Sequence, residues 1–383
     1  MLNARPTNFN IFNDVYNQED NIFTYYILDE KFNVNKFENQ IAWSLTKTPN
    51  DDVDSWTNTT LSSILNLDGS YGKITKLLNV NDNIIAFQDR AISTILYNER
   101  VQLSTESGLP VEIQNSGKVN GYQYVSNKTG CSNKYSIAES LAGVYYIDDH
   151  NKSFNRFGKD GVVDISALGM NVWFKKNDIA GLRSYYDSIT HDVYLVSNTK
   201  ALLFNEDLKS FTSFMDYLGN THIINLSGKS LIMGNEQSKF YEMFKGDYGI
   251  GLEDTAMDYS IEYVLNPEPM IDKTFTNAEF TADVFNPSSD IHSPYSQAVG
   301  GIPFDELSLW NDYQKGSLDL ERAFRGTLSK RFKSWRVQLP RDENSKFKHD
   351  RIRSPWVHLK LSKTGGKNTN KMVFNNLTVK YYK

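Results

Sequence analysis

The chain has 383 residues, 23% of them charged and 39% hydrophobic, with a net charge of −5, enough for one large or two medium domains with a packed core. No stretch nears the eighteen or so uninterrupted apolar residues of a membrane helix, and MLNARPTNFNIF lacks the apolar segment of a secretory signal, so a soluble protein without membrane insertion is expected. The single cysteine, Cys131, excludes an internal disulfide and a cysteine-based zinc site; a buried small hydrophobe is its expected role.

With 22 Tyr, 22 Phe and 6 Trp among frequent Asn, Asp, Thr and Ser, the composition is that of an all-β chain with polar turns. FTYYILDEKFNVNKF predicts a hairpin turning at Asp29 and Glu30. QIAWSL predicts another strand, followed by the polar loop TKTPNDDVDSW. LSSILNLDGSYGKITKLLNV turns at Asp68 and Gly69 into a further strand.

From there a phrase recurs four times: an apolar strand, a turn, a second strand, and an Asn-acid punctuation. The copies are NIIAFQDRAISTILYNER, GVYYIDDHNKSFNRFGKDG, DVYLVSNTKALLFNEDL and SLIMGNEQSKFYEMFKG. Ile84, Val144, Val193 and Leu231 are equivalent positions, roughly 60, 49 and 38 residues apart, within the range of propeller blades rather than helical repeats. A four-stranded blade has two apolar faces it cannot bury alone, and packing blades side by side covers both.

With weaker blade-like text from Asn21 to Val80, the reading is a β-propeller of five or six blades over residues 1–265, closed by a strand near Tyr259 to Leu265. The rival is an irregular β-sandwich with accidental similarity. Residues 266–383 read as a second, β-sandwich-like domain, entered through a long surface loop from Pro287 to Pro303. It ends in a hairpin turning at Gly365 and Gly366. ERAFRGTLSKRFKS, residues 321–334, reads as a short helix or a basic loop; periodicity does not decide.

Motifs for chemistry are missing: no phosphate-cradling GxxxxGK[ST], no HExxH, no GxSxG and no GxGxxG after a strand. His150, His191, His222, His292, His349 and His358 lack metal-ligand spacing, so no metal or cofactor is expected. Asp51, Asp52 and Asp54, and Asp148 and Asp149, can bind calcium or form an acid and base pair in principle, but solvated turns are the preferred reading. No catalytic residue is assigned.

Residues 321–383 carry 17 Lys or Arg against 4 acids, a surplus of 13, which leaves −18 on residues 1–320. The surplus is densest at Arg322, Arg325, Lys330, Arg331, Lys333 and Arg336, and continues through Arg341, Arg351 and Arg353, with Phe324, Phe332 and Trp335 interleaved. Such a segment can touch phosphates. Pairing with the acidic face of a neighbouring subunit is preferred, given the opposite charge on the rest of the chain.

QIAWSLTKTP with DSWTN, LDGSYGKITKLLNVNDNIIAFQDRAI, KYSIAESLAGVYYIDD with ALGMN, LLFNEDLKSFTSF and KTFTNAEF together resemble the tail muzzle or "stabilization" proteins of crAss-like bacteriophages. These are similar in turn to the nozzle and packaged-DNA stabilization proteins of other short-tailed phages. The resemblance runs from about Gln40 to Phe280. It implies a non-enzymatic virion component, assembled in the host cytoplasm as a hexameric ring around the channel through which the genome leaves. Other tail proteins (hub, fibres or plug and cargo proteins) would be its partners, and DNA would pass without sequence-specific binding. Members of that family are generally much longer, so the chain reads as a fragment or shortened relative. Trp43, Trp56, Trp173, Trp310, Trp335 and Trp356 are candidates for subunit interfaces, with core burial the competing reading. Two other functions remain open: a carbohydrate- or receptor-binding propeller, and a glycan-cleaving enzyme with two carboxylates about 5 to 9 Å apart.

Overall fold

A computed structural model describes residues 37–44, 59, 62–80, 83–97, 101–104, 110–113, 119–218, 221–226, 229–233, 239–245, 251, 257–286, 301–324, 326–346, 350–364 and 371–383. The expected hairpin at Asp29 and Glu30, the loop TKTPNDDVDSW, most of the Pro287 to Pro303 loop and the turn at Gly365 and Gly366 lie outside the described residues. The chain is nearly all β, in antiparallel sheets, and divides into two units, Met1–Glu242 and Met243–Lys383.

In the first unit β1 (Gln40–Ala42) pairs with β2 (Ile64–Asn66). The next sheet has the order β3 (Ile74–Val80), β4 (Asn83–Gln88), β5 (Ile92–Tyr97), β8 (Val119–Ser126), with the hairpin β6 (Val101–Ser104) and β7 (Pro110–Ile113) between its last two strands in sequence. Then come β9 (Ala138–Glu139), β10 (Val144–Asp148), β11 (Ser153–Gly158) and β12 (Gly161–Asp164) as one sheet. A short helix α1 (Asn171–Lys176) precedes β13 (Arg183–Asp187), β14 (Asp192–Val196), β15 (Ala201–Asn205) and β16 (Ser210–Met215). Last are β17 (His222–Leu226), β18 (Lys229–Met233) and β19 (Phe240–Glu242).

Each copy of the sequence phrase is thus a sheet of its own. Ile84, Val144, Val193 and Leu231 all fall in the second strand of their sheets, β4, β10, β14 and β18. The shrinking spacing has a simple cause: the β6–β7 hairpin lengthens the first interval and α1 the second.

The sheets of β1–β2, β3–β5 with β8, β9–β12 and β13–β16 share apolar layers in chain order. All five residues of β10 are buried, because successive side chains leave opposite faces of a strand and both faces are covered. Tyr145 and Ile147 pack with Val193, Leu195, Leu202 and Phe204 of the following sheet. Val144 and Tyr146 pack with Leu78, Ile85, Phe87 and Ile92 of the preceding one. On the far side of β4, Ala86 joins Leu67 and the partly buried Ile41 and Leu65 around β1 and β2. A sheet alone in water would forfeit roughly 1.5–3 kcal/mol for every Val, Leu, Ile or Phe left exposed. First strands abut as well, β9 with β13 and β13 with β17.

The Asn-acid punctuation has a local function. Asp148, Asp187 and Asn205 end β10, β13 and β15, and four residues later Lys152, His191 and Lys209 adopt left-handed φ values of 55°, 56° and 50°. The carboxylate or amide oxygen accepts a turn N–H in each case: Asn151 N to Asp148 at 2.9 Å, Ile189 N to Asp187 at 2.8 Å, Leu208 N to Asn205 at 2.9 Å. Such side chains mimic a backbone turn and so fix the hairpin.

The second unit has two sheets on one core. One has the order β20 (Tyr259–Leu265), β27 (Val357–Lys363), β22 (Glu306–Trp310), β23 (Lys315–Asp319). The other has the order β24 (Leu328–Arg331), β25 (Ser334–Gln338), β21 (Lys273–Phe285), β26 (Arg353–Ser354), with β28 (Lys371–Tyr382) also along β21. Ala278, Phe280, Ala282, Trp335 and Val337 of the second meet Leu307, Leu309, Leu359 and Leu361 of the first. Lys363 and Asp305 form a buried ion pair of 2.6 Å.

Two expectations change. Tyr259–Leu265 does not close the repeat region; as β20 it pairs along its whole length with β27 of the second unit. Its text is as apolar as a repeat strand, and only its distant partner decides where it goes. Residues 321–334 are neither simply helix nor loop: a four-residue helix α2 (Leu320–Ala323) leads into the β24–β25 hairpin. β24 ends its sheet and sends only Leu328 into the core, so three of its four positions are exposed and its apolar alternation is absent.

Candidate functional site

The β24–β25 hairpin gathers four of the six singled-out basic residues: Lys330, Arg331, Lys333 and Arg336. Arg322 stands apart on α2, its Nε 3.4 Å from Asp319 Oδ2, and Arg325 lies outside the described residues. Inward-facing Leu328, Trp335 and Val337 anchor the hairpin, and Trp335 Nε1 donates to the Ala282 carbonyl at 3.1 Å. Arg331 faces Ser334 across a two-residue turn, Phe332 and Lys333. Phe332 has φ 54° and is 89% exposed.

On the outer face Arg331, Phe332, Lys333, Ser334 and Arg336 join Glu279 and Thr281 of β21 around an open depression of about 390 Å³. Glu279 sits opposite Arg336 in register. Its Oε1 accepts from Ser334 Oγ at 2.8 Å and lies 3.2 Å from Arg336 Nε, while Lys380 Nζ is 3.6 Å from Oε2. The Ser334 hydroxyl foremost, then Arg336 and Lys380, hold the Glu279 carboxyl below the usual carboxylate range. Lys333 reaches Asp283 at 3.5 Å, whereas Lys330 and Arg331 form no ion pair among the described residues. Their cations lie over rings instead, Lys330 at 4.8 Å from Trp335 and Arg331 at 6.0 Å from Phe332.

Three cations against one carboxylate leave the depression positive. The cationic ends of these pairs are the exposed ones, Lys333 at 78% and Arg336 at 53% of the side chain, so they remain within reach of an incoming acidic group. A single carboxylate with no histidine or cysteine in the lining offers no acid and base pair. Charge counting along the chain locates this segment, but Glu279, Asp283 and Lys380 are set beside it only by pairing of distant strands.

Other candidates disperse. Asp51, Asp52, Asp54, Trp56, His292 and His349 lie outside the described residues. Asp148 is buried rather than solvated: it also accepts from Gly130 N at 3.2 Å and Asn151 Nδ2 at 2.7 Å, and Asp149 accepts from Ser132 Oγ at 2.7 Å. His191 pairs with Asp207 and His358 with Glu262, both at 2.9 Å. No group of His, Cys, Asp and Glu among the described residues could hold a metal ion. Trp335 is core; Trp43, Trp173, Trp310 and Trp356 are half-buried. Trp310 stacks on His358 at 5.0 Å and 4°, and Trp356 meets the same imidazole edge-on.

Family models match both parts of the chain: the Crassvirus muzzle protein over residues 1–236, and the Crassvirus muzzle protein C-terminal domain over residues 254–342. The chain belongs to the Crassvirus muzzle protein family. It is similar to the muzzle protein of Bacteroides phage crAss001, 36% identical over the whole of this chain, which covers 28% of that relative's length. The muzzle family's first match takes in the repeat sheets from β3 to β18, and its C-terminal match contains the basic hairpin.

Proposed function

We propose that the chain is a non-enzymatic structural part of a phage tail muzzle. Its first unit forms consecutive blades of a β-propeller and its second a β-sandwich. Copies assemble as a ring, six in number, around the DNA-exit channel, contact other tail proteins, and help retain and then release the packaged genome. Membership of the muzzle family across both units carries this reading. Sheets locked together through shared layers suit a wall whose work is geometric, because close-packed interiors resist deformation. Assembly takes place in the host cytoplasm.

A sugar-binding reading fits less well, because Trp310 spends one ring face on His358. Antibody labelling of purified particles tests the proposal: signal is expected at the tail, and particles that carry the chain only elsewhere, or not at all, would overturn it.

A further inference from the structure

We infer that the β24–β25 hairpin is an assembly contact: an aromatic peg ringed by cations that seats on an acidic surface of a second copy of this chain. The inference rests on, and deepens, the ring reading above. Phe332 is its centre. A two-residue hairpin turn with a left-handed first position suits Gly or Asn, yet a bulky phenylalanine stands there with φ 54° and 89% of its surface in water. Both features are unfavourable in the isolated subunit, and its own subunit gives the ring little beyond the Arg331 guanidinium.

Phe324 adds a second aromatic, 50% exposed, 5.9 Å from Trp335. Lys330, Arg331, Lys333 and Arg336 lie on the same hairpin, Arg331 over the Phe332 ring and Lys330 over Trp335. Aromatic anchors with arginine are the composition of binding hot spots, while isolated surface charges are not.

The occupant follows from charge. The hairpin lies in a segment with a surplus of 13 positive charges, and residues 1–320 of the same chain carry −18. A duplex phosphate backbone fits less well, because phosphate has no use for the exposed phenylalanine at the tip of the hairpin. A hairpin on one copy meeting an acidic patch on the next joins unlike surfaces, the kind of contact that generates rings.

Mass photometry of the 383-residue chain tests this, with wild type, Phe332→Asn and Arg331→Glu compared at low and high salt. Wild type is expected to assemble and to loosen as salt rises. Both variants should assemble at least about tenfold more weakly. The melting temperature should be unchanged in Arg331→Glu and unchanged or higher in Phe332→Asn, because Asn accepts the left-handed turn. Variants that assemble like wild type would overturn the hairpin contact and leave the ring standing; a wild type monomeric throughout would overturn both. Variants that lose binding to duplex DNA yet assemble normally would replace the contact with a phosphate site. A lower melting temperature for Phe332→Asn would make the residue structural and overturn the peg.

Discussion

Replacing Val193 with Asp probes the layer between two consecutive sheets. Val193 is 0% exposed, pairs with Tyr186 and Phe204 on the flanking strands, and packs in the cluster with Tyr145 and Phe154. Removing the valine forfeits roughly 1.5–3 kcal/mol of burial. A carboxyl among those rings folds only in its neutral form, and neutralising a group of ordinary pKa about 3.9 at pH 7 costs about 4 kcal/mol. The total of about 6 kcal/mol compares with the 5–15 kcal/mol that typically holds a domain together. At roughly 2–4 °C per kcal/mol for a unit of this size, the melting temperature falls by about 12–24 °C in differential scanning calorimetry, or the first unit does not fold. Val163→Asp, at a position 37% exposed on β12, serves as control, with an expected change within about 0.5 kcal/mol. Burial raises the introduced carboxyl's pKa, so its penalty is largest at neutral pH and shrinks as pH falls toward about 4. A Val193→Asp protein that melts within about 3 °C of wild type at pH 7 would refute the shared-layer account.

Asp148→Ala removes the acceptor for Gly130 N, Asn151 N and Asn151 Nδ2; an urea midpoint equivalent to a loss of about 2–3 kcal/mol is expected, as for hydrogen bonds to a buried charged group. Burial pushes the Cys131 thiol up to about 11, so a disulfide-exchange reagent at pH 8 should label it only when the protein is unfolded. His222 has Arg183 Nη1 at 3.0 Å from Nε2 and the Tyr185 hydroxyl at 2.9 Å from Nδ1, and burial first, then Arg183, lowers its pKa. Its contribution is therefore complete above about pH 6.5 and is lost as acid protonates the unfolded chain in preference. His222→Gln should flatten the fall in thermal stability between about pH 6.5 and 5; an unchanged slope would sink that assignment.

The repeat was legible because the residues that specify it are local. Asp148, Asp187 and Asn205 each fix their own turn, and runs such as VYYID report burial on both faces without reference to any partner. What was not legible depends on distant pairing. YSIEYVL reads alike as a repeat strand or as the edge it becomes beside Val357–Lys363. RGTLSKRFKSW hides a hairpin because its exposed edge strand needs no alternation and its turn carries Phe332 rather than the Gly or Asn that would have marked it. Counting cations found Lys330, Arg331, Lys333 and Arg336, but their depression exists only because β21, some fifty residues earlier, supplies Glu279 and Thr281.

The side chains of β10 point alternately into two layers, and this has a mechanical consequence. Force applied to one sheet is handed to the next through incompressible contact between rings and branched side chains, without waiting for a connecting loop to tighten. Pressure along such a row is spread over many neighbours at once, so local yielding requires several layers to give way together.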